Sequence, residues 1–331
     1  MRETPARFEP CGIEEMIPEF LVDLLDAIRE EAAEVGRGLH PDSVRELRGL
    51  VRIMNAYYSN LIEGHHTRPR DIEAALSCAP VDDRFLAEAV AHFRVQEGVD
   101  DLADAGDLPQ PTSVSFIVEL HRRFYEEMPE EFRYTEHGFK RVEIVPGAFR
   151  TDEVQVGRHL PPSPDRIKSF MAHYEMRYRG LTRGATGRIL SIPAAHHRLN
   201  YIHPFLDGNG RVSRLVTHAM IQRAGIGAGG LWSISRGLAR SLGDRGEYMA
   251  WMDTADMPRQ GDQDGRGNLS LQALIGFTGW FLTVVQQDIR FTRSILDLDS
   301  TGARFAAVLM DEVEKGASGP IASFRKGSVL R

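Results

Sequence analysis

Most of the side chains in this 331-residue sequence that could do chemistry together lie in one stretch, His203-Pro204-Phe205-Leu206-Asp207-Gly208-Asn209-Gly210-Arg211-Val212-Ser213-Arg214. A histidine titrates near neutrality and can take a proton from an attacking hydroxyl. Asp207 is a hard oxygen ligand suited to Mg²⁺ or Mn²⁺ shared with phosphate oxygens. Arg211 and Arg214, three apart, share a helical face and can fork onto phosphate. Val212, Leu215, Val216, Ala219 and Met220 recur at helical spacing, and Gly225 follows where a helix would stop. The Gly208-Asn209-Gly210 turn therefore opens on a helix N-terminus, where free N–H groups and the positive end of the dipole favour an anion. Phe205 is expected to face the core. Two of these features alone would suit an ordinary turn and cap; together they would let a phosphate bound at the helix start meet His203 and Asp207 at its edge. No P-loop lysine accompanies them, so an ordinary P-loop phosphotransferase is not supported.

The elements that must position this stretch read as mainly helical. Residues 1–12 look like a loose leader. Ile13–Val35 has a helical stripe of Ile17, Phe20, Leu21, Leu24, Leu25 and Ile28. A second helix runs from Pro41 to Gly64, with Leu47, Leu50, Val51, Met54, Tyr58 and Leu61 as its apolar face. Residues 68–105 suggest one long helix, and Gly106–Pro111 a boundary. Thr112–Met128 is a helix capped by Thr112 or Ser113, burying Phe116, Ile117, Leu120 and Phe124, with no role for His121. In 138–160 the alternation of Val142 and Ile144, then Val154 and Val156, between Pro146-Gly147 and Gly157 predicts a β-hairpin. A helix from Asp165 to about Tyr178 follows. Ser191-Ile192-Pro193 then opens the helix that delivers His203, with His196 packed on the same face. Arg245–Asp256 reads as a helix, Pro258–Asn268 as a mobile acidic loop, and Leu269–Leu296 as a long apolar-rich helix. The last forty residues hold one short helical pattern, Phe305, Val308, Leu309 and Val313.

Forty basic against forty-seven acidic residues give a net charge of −7, which argues against general attraction to nucleic acid or membranes. Only Lys140, Lys168, Lys315 and Lys326 are lysine, an arginine bias that reads as genome composition rather than function, though arginine does suit bidentate phosphate contacts. Cys11 and Cys78 make neither a disulfide framework nor a metal cluster. With no apolar leader at the N-terminus and no run of eighteen apolar residues, a cytoplasmic protein is expected.

The stretch 203–214 resembles the signature of the Fic (Fic/Doc) family, His-x-Phe-x-Asp/Glu-Gly-Asn-Gly-Arg-x-x-Arg, at every defined position. That family transfers nucleotidyl groups, usually AMP from ATP, onto protein hydroxyls. The resemblance implies a mainly α fold: a Fic-type helical core with a small hairpin flap, preceded by helices. It assigns His203 as base and Asp207 as metal ligand. Gly208, Asn209 and Gly210 would form the anion hole, and Arg211 and Arg214 would hold the pyrophosphate. Ser59-Asn60-Leu61-Ile62-Glu63-Gly64 resembles the family's inhibitory motif, Ser/Thr-x-x-x-Glu-Gly/Asn, so Ser59, Glu63 and Gly64 would restrain the site by pairing Glu63 with Arg214. Pro146-Gly147-Ala148-Phe149-Arg150-Thr151-Asp152-Glu153-Val154-Gln155-Val156-Gly157 resembles the flap, whose Thr151–Gly157 edge would hold a target segment as an added strand. Tyr248 is the candidate against the adenine, while Ala255 stands where the family commonly has asparagine.

Three regions are then expected: 1–108 with the inhibitory motif, 109–290 as catalytic core, and 291–331 as a helical tail. The implied function is a protein adenylyltransferase using ATP and Mg²⁺ or Mn²⁺ on a Ser, Thr or Tyr hydroxyl, with self-modification and a homodimer within its scope. Removal of AMP, transfer of another phosphate-containing group, and a non-catalytic nucleotide-binding regulator stay open as alternatives.

Overall fold

The computed structural model describes residues 3–14, 16–77, 81–137, 140–240 and 246–296. In chain order its longer helices are α1 (Glu19–Glu34), α2 (Pro41–Ile62), α3 (Pro69–Ser77), α4 (Arg84–Asp104) and α5 (Val114–Glu126). Two short strands, β1 (Tyr134–His137) and β2 (Lys140–Glu143), precede α6 (Ile167–Leu181), α7 (Gly184–Ile202) and α8 (Asn209–Arg223). Then come α9 (Ile234–Arg240), α10 (Gly246–Ala255) and α11 (Leu271–Leu296). The mainly α class with one small antiparallel sheet is as the sequence implied.

The helix that delivers His203 is the centre of the molecule. Residues Ile189–Leu199 of α7 are all buried, packed by α6, α8 and α11. It starts at Gly184, well before the expected opening at Ser191, so Pro193 lies inside the helix rather than in its first turn. A proline there forfeits one backbone hydrogen bond and costs about 3 kcal/mol. Burial of Ile189, Ile192, Ala195, Leu199 and Ile202 outweighs that. Helix α5 is capped by Ser113, whose side chain accepts from the Phe116 N–H, and buries Phe116, Ile117, Leu120 and Phe124.

Several local expectations are corrected. The leader is not loose: Phe8 and Cys11 are fully buried, and the Pro10 carbonyl accepts both Nε and Nη2 of the buried Arg198. Pro18 caps α1, so the helix begins at Glu19, and Phe20 is 53% exposed while Leu21, Leu25 and Ile28 are buried. Residues 68–105 form two helices, the second capped by Asp83, whose side chain accepts from the Leu86 N–H. The loop after α10 is laced rather than free. Asp264 accepts from the Gln260 and Gln272 amides, and Leu269 N–H donates to the Glu9 carbonyl. Cys78, Arg245 and the tail from 297 onward, with its pattern at Phe305–Val313, lie outside the described residues.

The largest correction concerns α2. Its buried face is not the apolar stripe; Leu50 is 54% exposed, and Arg52, Ile53, Asn55, Ala56, Ser59 and Asn60 turn inward. The facing surface of α4 explains this, because it too is polar. Arg52 Nε donates to Asp100 at 2.9 Å, and Asn55 Nδ2 to Gln96 at 2.5 Å. His218 of α8 closes on the other Asp100 oxygen at 2.7 Å. Ile53, Ala56, Ile72 and Ala89 form a separate small apolar cluster beside this contact, while Val44, Leu47 and Ile62 of α2 pack against the main core.

The hairpin also falls earlier than expected. β1 and β2 pair antiparallel, with Tyr134 opposite Glu143 and Thr135 opposite Val142, so Val142 belongs to the second strand. Residues 146–157 are a loop with an isolated β-bridge between Val156 and His159 in place of the expected second strand pair. The buried Arg150 side chain draws the chain off the sheet by donating to the Asp152 and Pro162 carbonyls.

Candidate active site

His203 follows the last turn of α7 in the left-handed conformation, φ 48°, with its N–H still on the Leu199 carbonyl. A non-glycine residue there costs of order 1 kcal/mol, so something must hold it. Arg150 does: its Nε donates to the His203 carbonyl at 2.8 Å and its own N–H to the Pro204 carbonyl at 3.0 Å. Phe205 is buried and stacks on His121, ring centroids 3.9 Å apart. His121 Nδ1 accepts the Gly147 N–H at 2.9 Å, which leaves Nε2–H to donate to the Asp207 carbonyl at 3.3 Å. One histidine thus ties the flap base to the loop before α8.

Asn209 closes that loop with both ends of its amide. Phe205 N–H donates to Oδ1 at 2.9 Å and Nδ2 donates to the Phe205 carbonyl at 2.8 Å. The carboxamide is therefore spent inside the loop, and the first-turn backbone amides of α8 are what it leaves for an anion. Gly208 has φ 80°, and a Cβ there would come within 2.9 Å of the Tyr125 ring.

Beside this loop is a cleft of about 400 Å³ lined by His203, Gly210, Arg214, Glu63, Tyr248, Val156 and Gly157, with His197 and Asp256 farther along. Burial, with Arg150 and His159 adding to it, holds the His203 pKa down at about 4, so the ring is neutral at pH 7. Tyr248 is fixed by a chain of donors. Thr217 O–H donates to the Ser213 carbonyl, so His196 Nδ1–H donates to Thr217 Oγ1. His196 Nε2 then accepts the Tyr248 O–H at 2.7 Å.

Arg214 is 2% exposed and is held by the end of α2. Its Nε donates to Ser59 Oγ at 2.9 Å, and its Nη2 to the Ser59 carbonyl at 3.2 Å and to Glu63 Oε1 at 2.7 Å. Gly64, at φ 90°, makes the stop that places Glu63: Gly64 N–H bonds the Leu61 carbonyl and His65 N–H the Asn60 carbonyl, a Schellman pair. Burial works to raise the Glu63 pKa, but Arg214 and Arg211 outweigh it and keep the carboxyl below its ordinary value. The carboxylate lies over Gly210, where a side chain would collide with it.

Asp207 and Arg211, by contrast, do not line this cleft. Asp207 Oδ1 accepts from the Gly208 N–H at 2.6 Å and from Arg211 Nη2 at 3.0 Å, while Oδ2 accepts Arg84 Nη2 at 3.1 Å. Arg211 Nη1 lies 2.5 Å from the fully buried Glu88, whose carboxyl burial would raise but Arg211 and His65 pull down to about 2. Arg84, Glu88, Arg150 and His121 were missed as site residues. Arg84 and Glu88 are four apart on one helix, a spacing that by itself signals no site, and Arg150 figures in the sequence only as a flap position. Of the flap, Val156 and Gly157 reach the cleft; Thr151, Asp152, Glu153 and Gln155 are exposed and Val154 half-buried beside them.

Residues 111–221 match the family model described as Fic/DOC family. A protein adenylyltransferase Fic of Drosophila melanogaster is 35% identical over 114 residues, covering 34% of this chain and 20% of that protein. The counterpart in Drosophila ananassae is 33% identical over 113 residues. The match thus spans about a fifth of the length of these curated relatives. A Fic family protein from Desulfovibrio desulfuricans G20 shares the fold with a TM-score of 0.63 at 17% identity, covering 89% of this chain and 77% of that one. A Fic domain containing signalling protein from Bacteroides thetaiotaomicron does so at 0.61 and 18%, covering 82% and 96%. Fic-1 from C. elegans does so at 0.59 and 17%, covering 86% and 73%.

Proposed function

We propose that this chain, which carries a Fic/DOC-family domain in residues 111–221, transfers AMP from ATP to a Ser, Thr or Tyr hydroxyl of a protein, and that Glu63 restrains it. The observation that carries the reading is the 2.7 Å Glu63–Arg214 pair, in a cleft that opens on both His203 and the start of α8. The name shared by the curated relatives supports the donor and the reaction.

In this reading the triphosphate lies across the N-terminal turn of α8, whose amides and dipole meet the α-phosphate. Neutral His203 takes the proton of the target hydroxyl as its oxygen bonds the α-phosphorus, and the bond to pyrophosphate breaks. Arg214 receives the charge on the departing pyrophosphate. Val156 and Gly157 bring the flap, and the target segment on its edge, over the histidine. Tyr248 would face the base. Asp207 fits a divalent cation: burial works to raise its pKa, but Arg211, the Gly208 N–H and Arg84 outweigh it and leave it lowered, the side chain is 25% exposed, and its Oδ2 already holds a cationic group, Arg84. Mg²⁺ or Mn²⁺ held there would supply neutralisation of the polyphosphate.

Glu63 on Arg214 occupies the donors that the terminal phosphates need and sets a negative charge against them. An ionised carboxylate at that place also suits the orientation of a water, which keeps removal of AMP as the second reading. Incubation of wild type and Glu63→Gly with α-labelled and γ-labelled ATP tests both. Label from the α position only, stronger in Glu63→Gly, is expected; label from γ only, or from neither, would overturn the transferase reading.

A further inference from the structure

Asp207 is the carboxylate through which the proposed reaction would meet its metal, and it already carries a cation. Arg84 reaches it from the first turn of α4, Nη2 to Oδ2 at 3.1 Å. Arg84 has two further moorings, Nε to Glu88 Oε1 at 3.2 Å and Nη1 to the Tyr134 carbonyl at 2.9 Å. Glu88, 0% exposed, in turn faces Arg211. Two guanidinium groups and two carboxylates thus form a cluster that is neutral as it stands. Its members differ in freedom, because the Arg84 side chain is 33% exposed and that of Arg211 4%.

We propose that Arg84 makes metal binding at Asp207 conditional on nucleotide: its guanidinium holds the outer Asp207 oxygen, and a divalent cation takes that oxygen only in company with a polyphosphate. This rests on the nucleotidyl-transfer reading. The reason is charge. A bare dication entering a balanced, half-buried cluster meets two nearby guanidinium groups and gains only one carboxylate already in use. A metal–nucleotide complex is net negative, so the same guanidinium groups attract it. Arg84 can then leave Asp207 without losing its partners, since Glu88 and the Tyr134 carbonyl still accept from it. Arg84 is in this sense a positioning residue: it sets when the metal arrives rather than touching the reacting atoms.

Mn²⁺ titration followed by electron paramagnetic resonance, without nucleotide, tests this on Glu63→Gly and on Glu63→Gly/Arg84→Gln. Glutamine keeps a donor for Glu88 and removes the charge, and circular dichroism checks that each variant is folded. The Arg84→Gln protein is expected to bind Mn²⁺ at least tenfold more tightly, Arg84→Lys to return to weak binding, and addition of Asp207→Asn to abolish the gain. Equal Mn²⁺ affinity with and without the Arg84 charge, or tight binding that survives Asp207→Asn, would overturn the proposal. Label transfer by Glu63→Gly in the same preparations reads the reaction separately. Transfer with no Arg84 effect on Mn²⁺ sinks only the metal proposal, whereas tighter Mn²⁺ binding without any transfer sinks the transferase reading.

Discussion

The α7–α8 centre and the α2–α4 contact are built from opposite materials. Around α7 the buried side chains are mostly Ile, Leu, Ala, Phe and Tyr, continuous with one core that runs from Phe8 to Ile289. Between α2 and α4, Arg52 and Asn55 face Asp100 and Gln96, and Asn60 donates to the Phe85 carbonyl, with a four-residue apolar patch at one side. Apolar burial gains roughly 25 cal/mol per Å² whatever the geometry. A buried ion pair gains little net and loses heavily when one partner goes. The centre is therefore held by apolar packing, and α2, whose Val44, Leu47 and Ile62 also pack on that core, adds to this a contact with α4 whose polar partners water can replace. That division suits a fixed catalytic loop beside a removable restraint.

The sharpest break is at the loop itself. His203→Ala should lower label transfer by about 10²–10⁴-fold in a Glu63→Gly background, the usual worth of a general base, with nucleotide affinity nearly unchanged. Near-normal turnover would remove His203 from the mechanism.

Next comes the restraint. A charge-assisted pair contributes roughly 1.5–3 kcal/mol, and about 1.4 kcal/mol is a factor of ten. Glu63→Gly should accordingly raise self-labelling at least tenfold, while Arg214→Ala should not, because that arginine also serves the nucleotide. Equal labelling in wild type and Glu63→Gly would reduce Ser59–Gly64 to a helix end.

The comparison predicts different consequences for damage in the two regions. Ile192→Ala, in the fully buried wall of α7, should cost about 2–5 kcal/mol of stability, read as a lower Tm, and leave the ratio of Glu63→Gly to wild-type activity where it was. Arg52→Ala strips Asp100 of one cation and should instead raise wild-type labelling several-fold toward the Glu63→Gly level. Faster amide exchange in α2 would accompany it. If Arg52→Ala stays silent while Glu63→Gly is active, the polar contact is not what holds α2.

The smallest effect is with pH. A free imidazole would be mostly protonated at pH 5.5. Burial depresses the His203 pKa to about 4, so the neutral form persists there, and Glu63→Gly activity should fall less than twofold between pH 7.5 and 5.5. For stability the sign is the same as for a depressed carboxylate: the unfolded histidine takes up the proton first. The contribution of neutral His203 is whole above about pH 6.5 and is lost as pH falls toward 4. A midpoint of activity near 6.5 would place the histidine in water.

Much of this molecule was legible in residues alone. The 3.6-residue period of Val212–Met220, the Gly208 turn and the Gly225 stop defined α8, since helix ends and amphipathic spacing are local properties. The order of His203, Asp207, Arg211 and Arg214 placed the first two in one loop and the last two on the first turns of the helix after it. Ser59 and Glu63, four apart, had to share a face. What tertiary structure decided is where each group points and what answers it. Periodicity chose the apolar face of α2, yet the polar face is buried, because α4 offers it Gln96 and Asp100 from more than forty positions away. Asn209 faces its own loop, and Arg211 and Asp207 turn to Glu88 and Arg84, across 123 residues in the case of Arg84 and Asp207. Charges find partners through space, and a one-dimensional pattern records the charge but not the distance.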